Sequence, residues 1–564
     1  MKYNKLVILL GINILISCTD LDMSPLSEGS SESWYSSEAE IEMSVKDLYK
    51  DAFWTQDNDE WTDDHTNRDI STPFTNATLN GEMAIVKDLW ANSYKAIVRA
   101  NTILANMEKA ASLGISQKVL GQFAAEAYFV RAAQYANLVS HFGDVIYVAG
   151  ALDLEESFKI GRTDKQTIIT EVYKDFDYAI VNLPEKYGSS SLSRATKGAA
   201  YALKARFALY MGDWAVAATA AKACMDLGIY KLHPTSFSNL FLTSTKNSVE
   251  SIFLLPRSIE FNVKVNRRVS LSRNGGGWAQ FDPSWDLLCA FLCTDGKPID
   301  ESLLFDPHNP FKNRDPRCSA TIVEFGTEHL GYIYDPNPKA LEVLNVATGK
   351  MQKNNDNRKN ATFASFNGLI WKKGVDATWQ QNNYNIDADK IIIRYADVLL
   401  IYAEAKIELN QIDQIVVDAI NQVRARAYGV ALTAADKYPV VSIASQSQLR
   451  KIVRIERRME FAWESLRYMD IIRWRLAEKV LNLGSYGMLD VADLESNVVN
   501  KGLWFFAKTP QIDEDGAADF EPLYKEGYAK LLTKRIFDAS RQYLWPIPSK
   551  EILINENIKQ NPNY

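Results

Sequence analysis

Apolar residues recur at three- and four-residue steps over most of the first 228 positions, the spacing that lines one face of an α-helix. Between 87 and 108 the stripe is Trp90, Tyr94, Ile97, Val98, Asn101 and Leu104. The segment 119–142 is Ala-rich and amphipathic, and Gly143 behind it predicts a C-cap. Thr163 and Gln166 form a capping-box signature ahead of Ile169, Val172, Tyr173, Phe176 and Ile180, and Pro184 closes that helix. Helices over 195–211 and 213–227 meet across Met211-Gly212-Asp213, where Ala199, Ala205, Ala217 and Ala221 allow close antiparallel approach. That is a tetratricopeptide-like pair, and 394–410 with 413–428 predicts another; the repeats are too degenerate to imply a regular solenoid.

From 229 to 390 the periodicity fades into short strands and turns. Asn274-Gly275-Gly276-Gly277-Trp278 and Tyr334-Asp335-Pro336-Asn337-Pro338 mark loops. Helix returns over 391–480, and a second irregular stretch, 481–540, precedes the tail. Within the helical part, Gln448 to Arg475 carries Ile452, Ile455, Met459, Ala462, Leu466 and Met469 on one stripe. Glu456, Arg457, Glu460, Glu464, Arg467, Asp470 and Arg473 lie beside it. A carboxylate pair can cut glycosides. Glu460 and Glu464, one turn apart and flanked by arginines, read instead as ion pairs that lock a helix to its neighbours.

The amino-terminal end has its own pattern. Lys2 and Lys5 precede an apolar run that begins at Leu6 and closes on Leu15-Ile16-Ser17-Cys18. The run is shorter than the roughly 20 residues a membrane span requires. It has the layout of a lipoprotein signal, residues 1–17, cleaved so that Cys18 is lipidated. Residues 18–37 are Ser-rich, with Asp20, Asp22 and Glu28, and read as a flexible tether. The organisation expected is therefore signal 1–17, tether 18–37, helical region 38–228 and loop-bearing region 229–564.

Charge and composition narrow the function. The net charge is −7, and losing Lys2 and Lys5 with the signal makes the mature protein −9, which argues against nucleic acid. With 13 Trp and 26 Tyr, an acidic body outside the cytoplasm suits uncharged polar ligands such as sugars. Cys224, Cys289, Cys293 and Cys318 read as buried thiols or one disulfide, and only five scattered His accompany them, so no structural zinc is expected. No cofactor is implied. A structural calcium among loop oxygens lacks EF-hand spacing, and G-x-S-x-G and H-E-x-x-H motifs are missing.

Motifs spread along the whole chain resemble the SusD/RagB family of outer-membrane nutrient-binding lipoproteins of the Bacteroidetes. The carriers are Ile393-Arg394-Tyr395-Ala396-Asp397-Val398-Leu399-Leu400 with Tyr402-Ala403-Glu404-Ala405, and Asn421-Gln422-Val423-Arg424-Ala425-Arg426-Ala427. Glu456-Arg457-Arg458 through Arg473-Trp474 and Tyr543-Leu544-Trp545-Pro546-Ile547-Pro548 follow, with the terminal Gln560-Asn561-Pro562-Asn563-Tyr564. Asn101-Thr102-Ile103-Leu104 and His141-Phe142-Gly143-Asp144 agree in the first half; Tyr428 and Asn563 depart where glycine is common. The resemblance implies a mainly α, SusD-like fold on tetratricopeptide-like helix pairs, with an irregular, loop-rich second half. It further implies a surface lipoprotein at the outer membrane that binds oligosaccharides without cleaving them. Such a protein serves a SusC-like TonB-dependent transporter. A peptide-binding homologue, a structural adaptor and a surface glycoside hydrolase are the competing readings.

A sugar needs flat aromatic platforms and hydroxyl partners. Three irregular stretches supply them: Trp61, Asp63, Asn67 and Arg68; Asn274, Trp278 and Gln280; and Trp379 and Gln380. Trp61 and Trp278 read equally as platforms or as packing, Arg68 could instead tie its loop through Asp63 or Asp64, and Trp285 reads as core.

Overall fold

The computed structural model describes residues 34–150, 154–188, 193–234 and 236–564. The signal, Cys18 and the tether up to residue 33 lie outside the described residues. Trp34 is already packed at the start of the body: its Nε1 donates to Ser44 Oγ at 2.8 Å, and Ser37 and Glu40 form the capping box of helix α1 (Glu38–Asp47).

The predicted helices are present with shifted ends. Helix α2 (Ala84–Ala105) buries Val86, Leu89, Trp90, Ala96, Ile97, Ala100 and Asn101, whereas Val98 faces outward. Helix α3 (Gln117–Phe142) runs between α2 and α4 (Lys165–Asn182) and ends on Gly143, whose φ of 73° suits a residue without a Cβ. The N-cap of α4 is Asp164, accepting from Gln166 N, rather than Thr163, whose N–H is committed to Val145 O at 2.8 Å. Helices α5 (Lys197–Met211) and α6 (Trp214–Asp226) turn about Gly212 and pack through Ala199, Ala205, Ala217 and Ala221, all fully buried. Helices α7 (Tyr395–Glu408) and α8 (Gln414–Ala427) form the second pair, with α7 laid against α6.

Helix α9 (Gln446–Phe461) is shorter than its apolar stripe suggested. Trp463 and Ser465 adopt left-handed φ values of 59° and 64°, so the helix breaks and a new one begins at Arg467. Glu464 therefore lies in a turn and not one helical step above Glu460. Around the break sits a buried ion-pair network. Arg394 contacts Glu250, Glu460 and Glu464, each at 2.7 Å, and Arg426 also grips Glu250 and Glu460. Arg317 reaches Glu456 at 2.8 Å and Glu460 at 3.1 Å. Arg457 joins Asp397 and Asp470, and Arg473 joins Glu404. Burial alone would raise the Glu460 carboxyl, but Arg426, Arg394 and Arg317 outweigh it and hold it well below the usual carboxylate range.

Between the helical halves the chain makes short antiparallel pairings. Ser251–Leu255 pairs with Lys390–Arg394, closing the base of the irregular region. A four-stranded sheet spans Glu328 to Lys353. One apolar core runs through the helical region, α7, α8 and the carboxy-terminal Trp545 and Ile547. A second, around Trp285, Trp371, Phe505 and Phe506, supports the loops. All four described cysteines are buried free thiols.

Candidate functional site

Two small pairings assemble the loop surface. His65–Asn67 pairs antiparallel with Phe281–Pro283, which sets the first predicted stretch beside the second. Val265–Asn266 pairs with Asn385–Ile386, which brings in the third. The Gly275-Gly276-Gly277 run makes the junction close: Gly276 has φ +90°, and a Cβ there would overlap the Tyr384 hydroxyl.

Trp278 stands at the centre and is 46% exposed. The Arg268 guanidinium lies 6.0 Å from the Trp278 ring centre and 4.9 Å from that of Tyr384, bridging the two rings. On the other side, Arg68 Nη2 donates to Trp278 O at 2.6 Å and to Phe363 O at 3.0 Å. Arg68 also lies 5.2 Å from the exposed Phe363 ring. Gln280 Nε2 donates to Asn67 Oδ1 at 3.2 Å, and Asn266 Nδ2 donates to Asn383 O at 3.2 Å, so carboxamides border the rings. Beneath, the buried Asp356 carboxylate accepts from Arg273 N at 2.6 Å and Asn274 N at 3.3 Å, pinning the turn that carries Trp278. Burial lifts the Asp356 carboxyl to about 6. This surface combines an open indole, a fringe of arginines and several amides, which suits a ligand with a ring face and hydroxyl rim.

The other predicted residues are distributed differently. Trp61 is buried, stacked on Phe74 with ring centres 4.2 Å apart and edged by Tyr468 and Trp545. Asp63 is buried against Arg467 Nη2 at 2.8 Å and Arg458 Nη2 at 2.9 Å. Trp379 is 4% exposed and packs with Leu271 and Ile386. Neither Trp61 nor Trp379 offers an open ring face, and Asp63 has no open carboxylate, because long-range partners cover them. Asn274 is committed to Asn354 and Asn355, and Gln380 Nε2 to Gly275 O and Leu330 O. Arg68 does tie its loop, but through carbonyls and not through Asp63 or Asp64. Trp285 is core. Sequence reasoning passed over Arg268 and Phe363; the basic pair Arg267-Arg268 just before the glycine run was the available signal for the first.

Helix pairs holding up an irregular aromatic loop surface define a scaffold of the binding-protein type. The chain belongs to the SusD family, whose model matches residues 253–564. A second model, described as starch-binding associating with outer membrane, matches residues 24–209. A SusD-like protein (P2) of Formosa agariphila is 25% identical over all of both chains. A SusD-like protein of Bacteroides ovatus is 22% identical, covering 86% of this chain and 84% of that one. Among solved structures, a SusD-like carbohydrate binding protein of Bacteroides fragilis superposes with a TM-score of 0.75 at 28% identity, covering 93% of this chain and 99% of that one. A laminarin-binding SusD-like protein shares the fold, with a TM-score of 0.63 at 20% identity over 93% of this chain and 99% of that one. Among the described residues no helix is long and apolar enough to cross a membrane, and no cluster of three metal-ligating side chains occurs.

Proposed function

We propose that this protein is a surface lipoprotein of the outer membrane, anchored through Cys18, that captures oligosaccharides on the Trp278 surface without cleaving them. It then passes them to a SusC-like TonB-dependent transporter. The observation that carries the reading is the half-exposed Trp278 ring set among Arg268, Tyr384, Arg68 and amide side chains on a rigid helical support. Membership of a family whose solved members include a carbohydrate binding protein and a laminarin-binding one supports it. Glu460 and Glu464, the carboxylate pair nearest a hydrolase pattern, are consumed by arginines, which supports capture over cleavage. One indole face and a few hydrogen bonds open to water give dissociation constants of roughly micromolar to millimolar, about −8 to −4 kcal/mol. Tethering beside a transporter makes such weak capture sufficient by raising effective concentration.

The test is calorimetric titration of the wild type and Trp278→Ala with a panel of glycans, laminarin and starch oligosaccharides first. The expected result is saturable binding by the wild type that falls at least about tenfold in the variant, with an unchanged melting curve. Equal binding by both proteins removes this surface as the site, and new reducing ends in the mixture remove the non-catalytic reading.

A further inference from the structure

Three arginines, Arg68, Arg268 and Arg273, stand around the open Trp278 ring, and none forms an ion pair with another described residue. Arg273 opens the turn that carries the indole, its carbonyl accepting from Gly276 N at 3.0 Å. The hydrogen bonds these side chains make leave their charge uncancelled. Arg68 Nη2 and Arg268 Nε donate to backbone carbonyls, the latter to Gly276 O at 2.9 Å, and the Arg273 side chain hydrogen-bonds no described residue. Nε of Arg273 and of Arg68 is buried without a partner. The scaffold treats its arginines differently: Arg394, Arg426 and Arg457 are each held by two or more carboxylates.

The acidic groups acting on Arg68 and Arg273 are Asp282, Asp69 and Asp356. Burial pushes the Asp282 carboxyl well above the usual carboxylate range, which disfavours its charged form. Asp356 turns its oxygens to the backbone amides of Arg273 and Asn274, and Asp69 is exposed. For Arg68, burial together with repulsion from Arg273 outweighs the pull of Asp282 and Asp69 and lowers its pKa. Three guanidiniums thus face Asp356 and Asp69 alone, and the surface keeps a positive excess on a chain whose net charge is −7. Salt at physiological strength screens the remaining charge beyond about 8 Å, so the local excess decides what binds.

We propose that the glycan captured on the Trp278 surface is acidic, bearing carboxylate or sulfate groups that meet the free guanidinium edges of Arg68, Arg268 and Arg273 while a sugar ring stacks on the indole. The proposal rests on the reading of this surface as a glycan site. A guanidinium presents parallel N–H donors that match the paired oxygens of a carboxylate or sulfate. A single exposed ion pair contributes little, but several unpaired arginines around one ligand add their preferences. A neutral sugar meets the same nitrogens only through hydroxyls and gains no charge-assisted bond.

The experiment is calorimetric titration of the mature protein with paired probes. Oligogalacturonate against its methyl ester tests a carboxylate, and a carrageenan oligosaccharide against its desulfated form tests a sulfate. At least one acidic probe should bind saturably and at least tenfold more tightly than its neutral counterpart, and the pair that shows the preference identifies the anion. Arg268→Gln and Arg273→Gln should each cut that preference at least threefold with unchanged melting curves. Acidic probes that bind no more tightly than their neutral counterparts, no saturable acidic binding at all, or arginine variants that keep the full preference overturn the proposal. Trp278→Ala separates this outcome from failure of the site itself. Neutral binding that is lost in Trp278→Ala keeps the glycan surface and sinks only its acidic preference, whereas acidic binding indifferent to Trp278→Ala sinks the surface as the site.

Discussion

Glu460→Gln probes the scaffold where its charges are most concentrated. Glu460 is fully buried and receives Arg394 Nη1 at 2.7 Å, Arg317 Nη1 at 3.1 Å and Arg426 Nη2. The substitution keeps the shape but leaves three buried guanidiniums short of one counter-charge. Breaking a buried pair from one side costs about 3–5 kcal/mol. Unfolding entropy of about 2.1 cal/mol/K per residue gives a chain of this length on the order of 1 kcal/mol/K, so the melting temperature should fall by roughly 3–5 °C. The control is Glu171→Gln, which breaks the exposed 2.7 Å pair with Lys174 and should cost under about 0.5 kcal/mol. The pH dependence has a defined sign. The folded-state pKa of Glu460 lies below its ordinary 4.5, so its contribution is present above pH 4.5 and is lost as pH falls below it. Urea unfolding followed by circular dichroism at pH 7 and pH 3 is the assay. The wild type should exceed the variant by several kcal/mol at pH 7, and the gap should narrow at pH 3. A gap under about 1 kcal/mol at pH 7, or one that widens in acid, would refute the reasoning.

Other perturbations follow from the same geometry. His141 is buried; burial lowers its pKa, but Asp57 outweighs that and raises it above 6.5. Its pairing energy is therefore complete below pH 6.5 and lost as pH rises through the raised value, and Asp57→Asn should flatten that alkaline decline in melting temperature. An unchanged slope would remove the pair as its cause. Gly276→Ala forces a Cβ toward the Tyr384 hydroxyl at φ +90°, so glycan retention should weaken with little change in global stability; unaltered retention would count against the Arg268–Tyr384 flank. Burial pushes the Cys224 and Cys318 thiols up to about 12. A disulfide reagent should therefore label the four body cysteines about 100-fold more slowly in the folded protein than in denaturant, and rapid native labelling would contradict their burial.

The helical half was legible because its apolar spacing is long and regular: α2 to α6 lie within a few residues of the predicted spans. The cap of α4 slipped by one residue because Thr163 and Asp164 are both competent caps and a bridge to Val145 took the first. The break after Phe461 left no trace in the pattern, since Trp463 and Ser465 adopt left-handed conformations without glycine. The loop surface was readable as a region but not residue by residue. Trp61 and Asp63 look like a polar aromatic loop until Phe74, Arg458 and Arg467, two of them some 400 positions away, enclose them. Trp379 sits among Gln and Asn in sequence, yet Leu271 and Ile386 pack against it and bury it. Trp278 and Arg268 are ten positions apart, and only the turn through Gly275 to Gly277 brings the guanidinium over the ring.

A crystal structure of the mature protein with whichever oligosaccharide binds in solution tests the central claim most directly. The account predicts an intact glycan with one ring stacked on Trp278 and hydroxyls facing Arg268, Asn67 or Gln280. A glycan seated elsewhere with Trp278 bare, or one found cleaved, would contradict it.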